Sequence, residues 1–265
     1  MGLLEKQRAK INRINYKTTK MKEILKTLEN DQEYYNGIGK QYLSNSDIST
    51  LLNNPKEFGK KGGEDNQVFA KGRYFHQLIL EPEKAKKWSF IDVSTRTTKA
   101  YKEFIIENNL KFALLEKEKI EIQKWVYEMM NNKKMKDMIM NPGNKYEVPA
   151  IGKIQNRMWK GKADIVHPDM IIDLKTTGDI SKFKYSAKAY NYDSQCYIYQ
   201  ILFNKPLVFF VVDKSSKMLG IFKPTEEFIE GGERKVTKAI NVYDRFFSEN
   251  KTENIDQFII EKDLF

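Results

Sequence analysis

The sequence predicts a mixed α/β fold, a central sheet flanked by helices behind a helical N-terminal half. Three observations carry that prediction. Apolar residues recur at helical spacing through the first half. Short runs between Tyr146 and Leu174 read as strands separated by turn residues. A helical stretch, two more strand-like runs and a final helix follow, which is the order expected when helices cover a sheet. With 265 residues, 40% hydrophobic and 31% charged, the chain has ample material for a core and does not have the composition of a disordered polymer.

Met1 to Asn30 is lysine-rich, with Leu4, Ile11, Ile14, Met21, Leu25 and Leu28 at helical spacing, and reads as an amphipathic helix or basic arm. Asp31 to Lys40 is polar and contains glycine, as a linker would. The expected division is therefore an arm and linker over residues 1–40 and one domain over residues 41–265. Ser46-Asp47 opens a helix through Leu52 that Asn53-Asn54-Pro55 stops. Lys56 to Asn66 reads as a mobile Gly/Lys-rich loop. Val68 to Leu80 is a helix containing Gly72 and His76, ended near Glu81-Pro82. Thr97 to Leu110 and Leu114 to Met140 are helices, and Asn141-Pro142-Gly143 breaks the second. Tyr146 to Ile154 and Arg157 to Trp159 are strands. Phe183 to Phe203 is one helix, Leu207 to Val212 and Met218 to Lys223 are strands, and Val236 to Phe247 is the last helix. The tail Ile255 to Phe265 mixes Phe258, Ile259, Ile260 and Phe265 with acids; it docks a partner or packs on the core.

The stretch from Gly161 to Thr177 carries the chemistry. Ala163 to Val166 reads as a strand, His167-Pro168-Asp169 as a turn, and Met170 to Leu174 as a second, apolar strand. Side chains alternate along a strand, so Asp173 and Lys175 share a face and Leu174 takes the other. An antiparallel partner brings Asp164 alongside. Two carboxylates repel unless a cation lies between them, and oxygen ligands suit Mg²⁺ or Mn²⁺. A metal beside a lysine is equipment for phosphodiester hydrolysis. An exposed edge strand with an intrastrand ion pair is the bland alternative, which the apolar Ile171-Ile172 lead-in and the upstream Asp164 weaken.

The net charge of +10 favours a polyanionic partner, although lysine-rich bias would give the same number. The one cysteine, Cys196, excludes a disulfide framework and an iron–sulfur cluster, and fits a reducing cytoplasm. No apolar run has the length of a membrane span, and no signal peptide is expected.

Several short blocks in order resemble the PD-(D/E)XK nuclease superfamily, and within it the RecE/RecB-like branch with its phage exodeoxyribonuclease VIII-type domains. They are Tyr42-Leu-Ser44-Asn-Ser46 with Asn54-Pro55, Lys71-Gly72-Arg-Tyr-Phe-His76, Gly161-Lys-Ala-Asp164, Ile172-Asp173-Leu-Lys175-Thr-Thr177 and Gln195-x-x-x-Tyr199. The resemblance implies a restriction-endonuclease-like core and a metal-dependent deoxyribonuclease. It implies a 5′→3′ exonuclease on linear duplex ends that leaves 3′ single-strand tails for phage-type recombination. An endonuclease, a single-strand-specific nuclease, or a non-catalytic DNA-binding scaffold of the same fold are the alternatives.

By the same resemblance His76, Asp164, Asp173 and the backbone carbonyl of Leu174 are the metal ligands, for two Mg²⁺ or Mn²⁺ ions. His76 would otherwise read as a core histidine in an apolar helix, and His167 reads as structural. Lys175 positions the attacking water or steadies the phosphorane, and also assists deprotonation. Glu147 takes the place of an upstream acid near the metals, or is a surface glutamate on a strand. Gln195 and Tyr199, four apart on one helix face, line the active site and help hold DNA or the lysine. Ser44, Ser46, Arg73, Thr176 and Thr177 are candidates for gripping DNA. Gly72, one turn before His76, would admit a metal or a backbone. Tyr190, Tyr192 and Tyr197 read as packing. Lys162 stands where many relatives have arginine. The implied partners are DNA, a single-strand annealing protein and further copies in a trimeric or tetrameric ring.

Overall fold

A computed structural model describes residues 19–60 and 67–260; the expectations for residues 1–18, 61–66 and 261–265 lie outside the described residues. Residues 19–28 form helix α1. The N-terminal half continues with α2 (Asp31–Tyr35), α3 (Asn45–Asn53), α4 (Gln67–Leu80), α5 (Pro82–Ala85), β1 (Phe90–Ile91), α6 (Lys99–Glu107), β2 (Leu114–Leu115), α7 (Glu116–Asn131) and α8 (Lys133–Ile139). The second half holds β3 (Lys145–Ile154), β4 (Arg157–Val166), β5 (Ile171–Thr177), α9 (Phe183–Ala189), α10 (Tyr192–Phe203), β6 (Leu207–Asp213), β7 (Leu219–Phe222) and α11 (Glu226–Phe246).

Strands β3 to β7 make one mixed sheet in sequence order, the architecture expected. Within this sheet β5 and β6 alone run parallel, a pairing that needs the long α9–α10 crossover. One face is covered by α4, α7 and α8, with Phe75, Trp125, Ile172, Leu174 and Phe210 in the core. The other is covered by α3, α9, α10 and α11, with Trp159, Ile198, Phe209, Val211 and Ile240. Covered on both sides, β6 is buried along its whole length, so its residues are apolar on both faces rather than alternating.

Tertiary contacts redraw several expected elements. Arg157–Trp159 and Ala163–Val166 join into the single strand β4. The expected Leu114–Met140 helix is β2, α7 and α8, interrupted at Asn132, whose side chain caps α8 by accepting from the Met135 amide. Helix Phe183–Phe203 breaks at Asn191, which lies in the left-handed region at φ 59. The last helix begins at Glu226 instead of Val236, with Thr225 as its cap. Gly231 and Gly232 continue that helix rather than breaking it, because a Cβ at Gly232 would lie 2.1 Å from the Asp193 carbonyl oxygen; α10 and α11 cross there backbone to backbone. Asp31–Lys40 is not a linker. It forms α2 and a 3-10 turn over Ile38–Gln41, with Tyr34 and Gly39 buried. The short parallel pair β1–β2 was not expected, since two-residue runs carry no periodicity.

Candidate active site

Strands β4 and β5 are joined at one end and part at the other. The His167 amide donates to the Met170 carbonyl at 2.9 Å to close the turn, and Ile165 pairs with Ile172 and Val166 with Ile171. There the pairing stops. The Asp164 carboxylate enters the gap, its Oδ2 accepting the Leu174 amide at 2.7 Å in place of the next ladder bond. A strand residue's N–H and C=O leave by the same edge, so the Leu174 carbonyl opens onto this gap too.

Farther along β4, the Lys160 amide is taken by the Leu43 carbonyl at 2.8 Å. Between Leu43 and β5, Lys162 has no described strand on the edge away from β3. The Tyr199 hydroxyl fills that vacancy by donating to the Lys162 carbonyl at 3.0 Å and accepting from its amide at 3.3 Å. Tyr199 reaches β4 because residue 161 is glycine; a Cβ there would lie 2.8 Å from the tyrosine ring. Tyr199 thus holds the β4 backbone two residues before Asp164.

Three side chains from separate elements meet at the fork. His76 of α4, Glu147 of β3 and Asp164 of β4 offer ligand atoms that all lie within 4.8 Å of one another. His76 Nδ1 is 3.3 Å from Asp164 Oδ2. The pairs Tyr146–Ile165 and Val148–Ala163 set Glu147 directly across from Asp164. Like charges so placed are destabilising. Glu147 also takes a left-handed φ of 50, a strain of about 1–3 kcal/mol that persists where surrounding structure imposes it. Burial alone would push Asp164 up and His76 down, but their mutual attraction outweighs it and favours both charged forms. Glu147 goes the other way: desolvation, then repulsion by Asp164 and Glu81, raise it to about 8.

The Glu147 shift has a definite sign for stability. A carboxyl whose folded value is raised contributes stability that is lost as pH climbs through it. In chelator, the melting temperature should fall between pH about 4.5 and about 8, and Glu147→Gln should flatten that fall. A wild-type melting temperature that rises over this window would contradict the assignment.

These residues fit a divalent cation. The donor set is oxygen-rich with one imidazole, two of its carboxylates repel without a cation, and the Leu174 carbonyl faces the same gap. Asp173 is not in the group of three. Its Oδ1 accepts from Gln195 Nε2 at 2.5 Å, and its buried Oδ2 is paired with the Lys175 ammonium at 2.6 Å. Gln195 therefore orients the partner of Lys175. Burial alone would lower the Lys175 ammonium, but the charges of Asp173, Tyr192 and Asp164 hold it well above its usual value.

The remaining candidates are more scattered. Ser44 donates its amide and hydroxyl to Asp47 at 2.7 and 2.8 Å as the start of α3, and its hydroxyl meets Ser46 Oγ at 2.8 Å. Thr177 is buried and its hydroxyl donates to the Asp179 carbonyl; Thr176, its neighbour at the end of β5, is half-buried. Arg73 is exposed on α4 and lines an open groove of about 300 Å³ with Lys84, Lys87 and Trp88. A Cβ at Gly72 would meet no atom of the described residues, so no close backbone approach among them requires that glycine. His167 is structural, accepting the Asp169 amide on Nδ1. Tyr192, read as packing, lies with its ring 4.6 Å from the Lys175 ammonium. The break between α9 and α10 puts it there, and nothing in the local sequence announces that break.

The chain was compared with known families and structures. Residues 46–254 match the model of a PDDEXK-like domain of unknown function (DUF3799). No curated protein matches the sequence significantly. A candidate exonuclease from Eubacterium rectale shares the fold at a TM-score of 0.58 and 16% identity, over 89% of this chain and 96% of its own. A phage-related exonuclease from Haemophilus somnus 129PT aligns over 77% of this chain and 94% of its own, at 16% identity and a TM-score of 0.33 too low to carry an argument. No described helix is long and apolar enough to cross a membrane.

Proposed function

The chain belongs to the PDDEXK-like domain family, and from that premise we propose that it hydrolyses DNA phosphodiester bonds with Mg²⁺ or Mn²⁺, as a 5′→3′ exonuclease on linear duplex ends. The observation that carries this reading is the fork between β4 and β5. There the His76–Glu147–Asp164 cluster opens on the same gap as the Leu174 carbonyl, with the Asp173–Lys175 pair on the next strand. The exonuclease form is supported by the name of the Eubacterium rectale fold neighbour.

His76, Glu147, Asp164 and the Leu174 carbonyl would hold the cation, with Asp173 Oδ2 able to join them by loosening its pair with Lys175. A divalent cation bound there polarises the phosphate and makes water a stronger nucleophile. Lys175, kept protonated by its neighbours, offers charge to the phosphorane instead of accepting the proton of the water. Gln195 and Tyr192 hold Lys175 in place through Asp173 and through ring contact. The basic groove of Arg73, Lys84 and Lys87 offers charge to the backbone of the bound strand. The resulting 3′ tail is a substrate for a single-strand annealing protein, the partner this reading implies.

Linear duplex labelled separately at its 5′ and 3′ ends tests the proposal beside a closed circle of the same DNA. With Mg²⁺ the wild type should release the 5′ label, spare the circle, and lose all activity in EDTA or as Asp173→Ala. Efficient cutting of the circle would make the enzyme an endonuclease. Intact DNA that remains bound under Mg²⁺ and Mn²⁺ would make the protein a scaffold.

A further inference from the structure

Helix α2 presents an aromatic ring that the chemistry above does not use. Asn30 caps the helix by accepting the Gln32 and Glu33 amides. Asp31 then clasps it to the body of the protein, with Lys84 Nζ at 2.7 Å on one carboxylate oxygen and Lys162 Nζ at 2.6 Å on the other. Tyr34 is buried under this clasp, its ring 4.7 Å from the Lys162 ammonium. Tyr35 packs edge-on against Tyr34 with centroids 4.9 Å apart, yet remains 60% exposed. A ring fixed by a buried neighbour and two ion pairs, but left in water, is a preformed surface.

Its location gives that surface a purpose. Lys162 lies 5.8 Å from the Tyr35 ring and stands two residues before Asp164 on β4. Glu147 is across from Asp164 on the neighbouring strand. Tyr35 therefore stands at the rim of the cation cluster. The groove with Arg73, Lys84, Lys87 and Trp88 adjoins it through Lys84, which Asp31 holds. Positive charge for phosphates beside an aromatic face for bases is how proteins hold single-stranded nucleic acid without reading its sequence.

We propose that Tyr35 is a stacking platform for an unpaired base of the scissile strand, held at the rim of the metal site by the Asp31 clasp. The inference rests on the nuclease reading for its substrate and extends it to a substrate-positioning residue outside the metal cluster. The ring does the stacking, and the hydroxyl is dispensable.

Fluorescence tests this without requiring turnover. A duplex with a short unpaired 5′ end carrying 2-aminopurine is titrated with protein in EDTA, and its cleavage is followed separately in Mg²⁺. Wild type and Tyr35→Phe should quench the probe, because stacking quenches it, whereas Tyr35→Ala should bind the end with about tenfold lower affinity and little quenching. Tyr35 is exposed, so the alanine variant should melt near the wild-type temperature. A wild type that quenches and does not cut would sink the nuclease reading and leave the platform standing. Absent quenching in the wild type, or equal quenching in Tyr35→Ala, would overturn the platform whether or not the DNA is cut.

Discussion

Lys175→Ala should abolish cleavage, with kcat falling at least about 10²–10³-fold, while DNA affinity changes little. The ammonium is a single positive charge in a chain whose net charge is +10, so binding carried by many surface lysines should persist, with the salt dependence of affinity reduced by about one unit at most. The same change leaves Asp173, 2% exposed, with only Gln195 for company. Breaking one side of a buried ion pair costs about 3–5 kcal/mol, so the melting temperature should drop. Adding Asp173→Asn removes the uncompensated charge and should recover most of that drop without restoring activity. Cleavage rates, gel shifts in EDTA and melting curves on both variants separate chemistry from folding. Retained cleavage in Lys175→Ala would remove this lysine from the reaction.

Asp164→Asn should be as severe for activity and mild for the fold. An asparagine Oδ1 can still accept the Leu174 amide, and the lost repulsion between residues 164 and 147 offsets the lost attraction between Asp164 and His76. What goes is the anionic ligand at the centre of the cluster. In the wild type, Mg²⁺ or Mn²⁺ should raise the melting temperature by mass action on the folded state. In Asp164→Asn that rise should vanish together with cleavage, while the metal-free protein melts within a few degrees of the wild type. A variant that still gains stability from the metal would place the cation elsewhere.

Several of these groups were legible before any coordinates, because their signals are local. Asp173 and Lys175 sit on a strand whose alternation survives folding, 2.6 Å apart on one face, and the His167-Pro168-Asp169 turn that joins it to the strand of Asp164 closes as expected. Gly161 and Tyr199 were visible as separate blocks, but the contact that joins them was not. It depends on how closely α10 approaches β4, which is a matter of packing. Helix boundaries failed where a distant backbone decided them, as at Gly232 against Asp193 and at Asn191 between α9 and α10. Asp31 to Tyr35 forms a helix rather than a linker for the same reason. A short polar segment carries no periodicity, and its order comes from lysines on α5 and β4.

By itself, then, the sequence determined the class of fold, the placing of Asp173 and Lys175 on one face of a strand joined by a turn to the strand of Asp164, and a net charge of +10, since each follows from residue type at short spacing. Only the tertiary structure decided that Glu147 opposes Asp164, that Asp173 belongs to Lys175 and Gln195 more than to the cluster, and that Tyr192 and Tyr35 stand beside the site. Those relations join residues far apart in the chain. They exist because two strands part where a carboxylate replaces a ladder bond, and the gap lets side chains from both faces of the sheet meet.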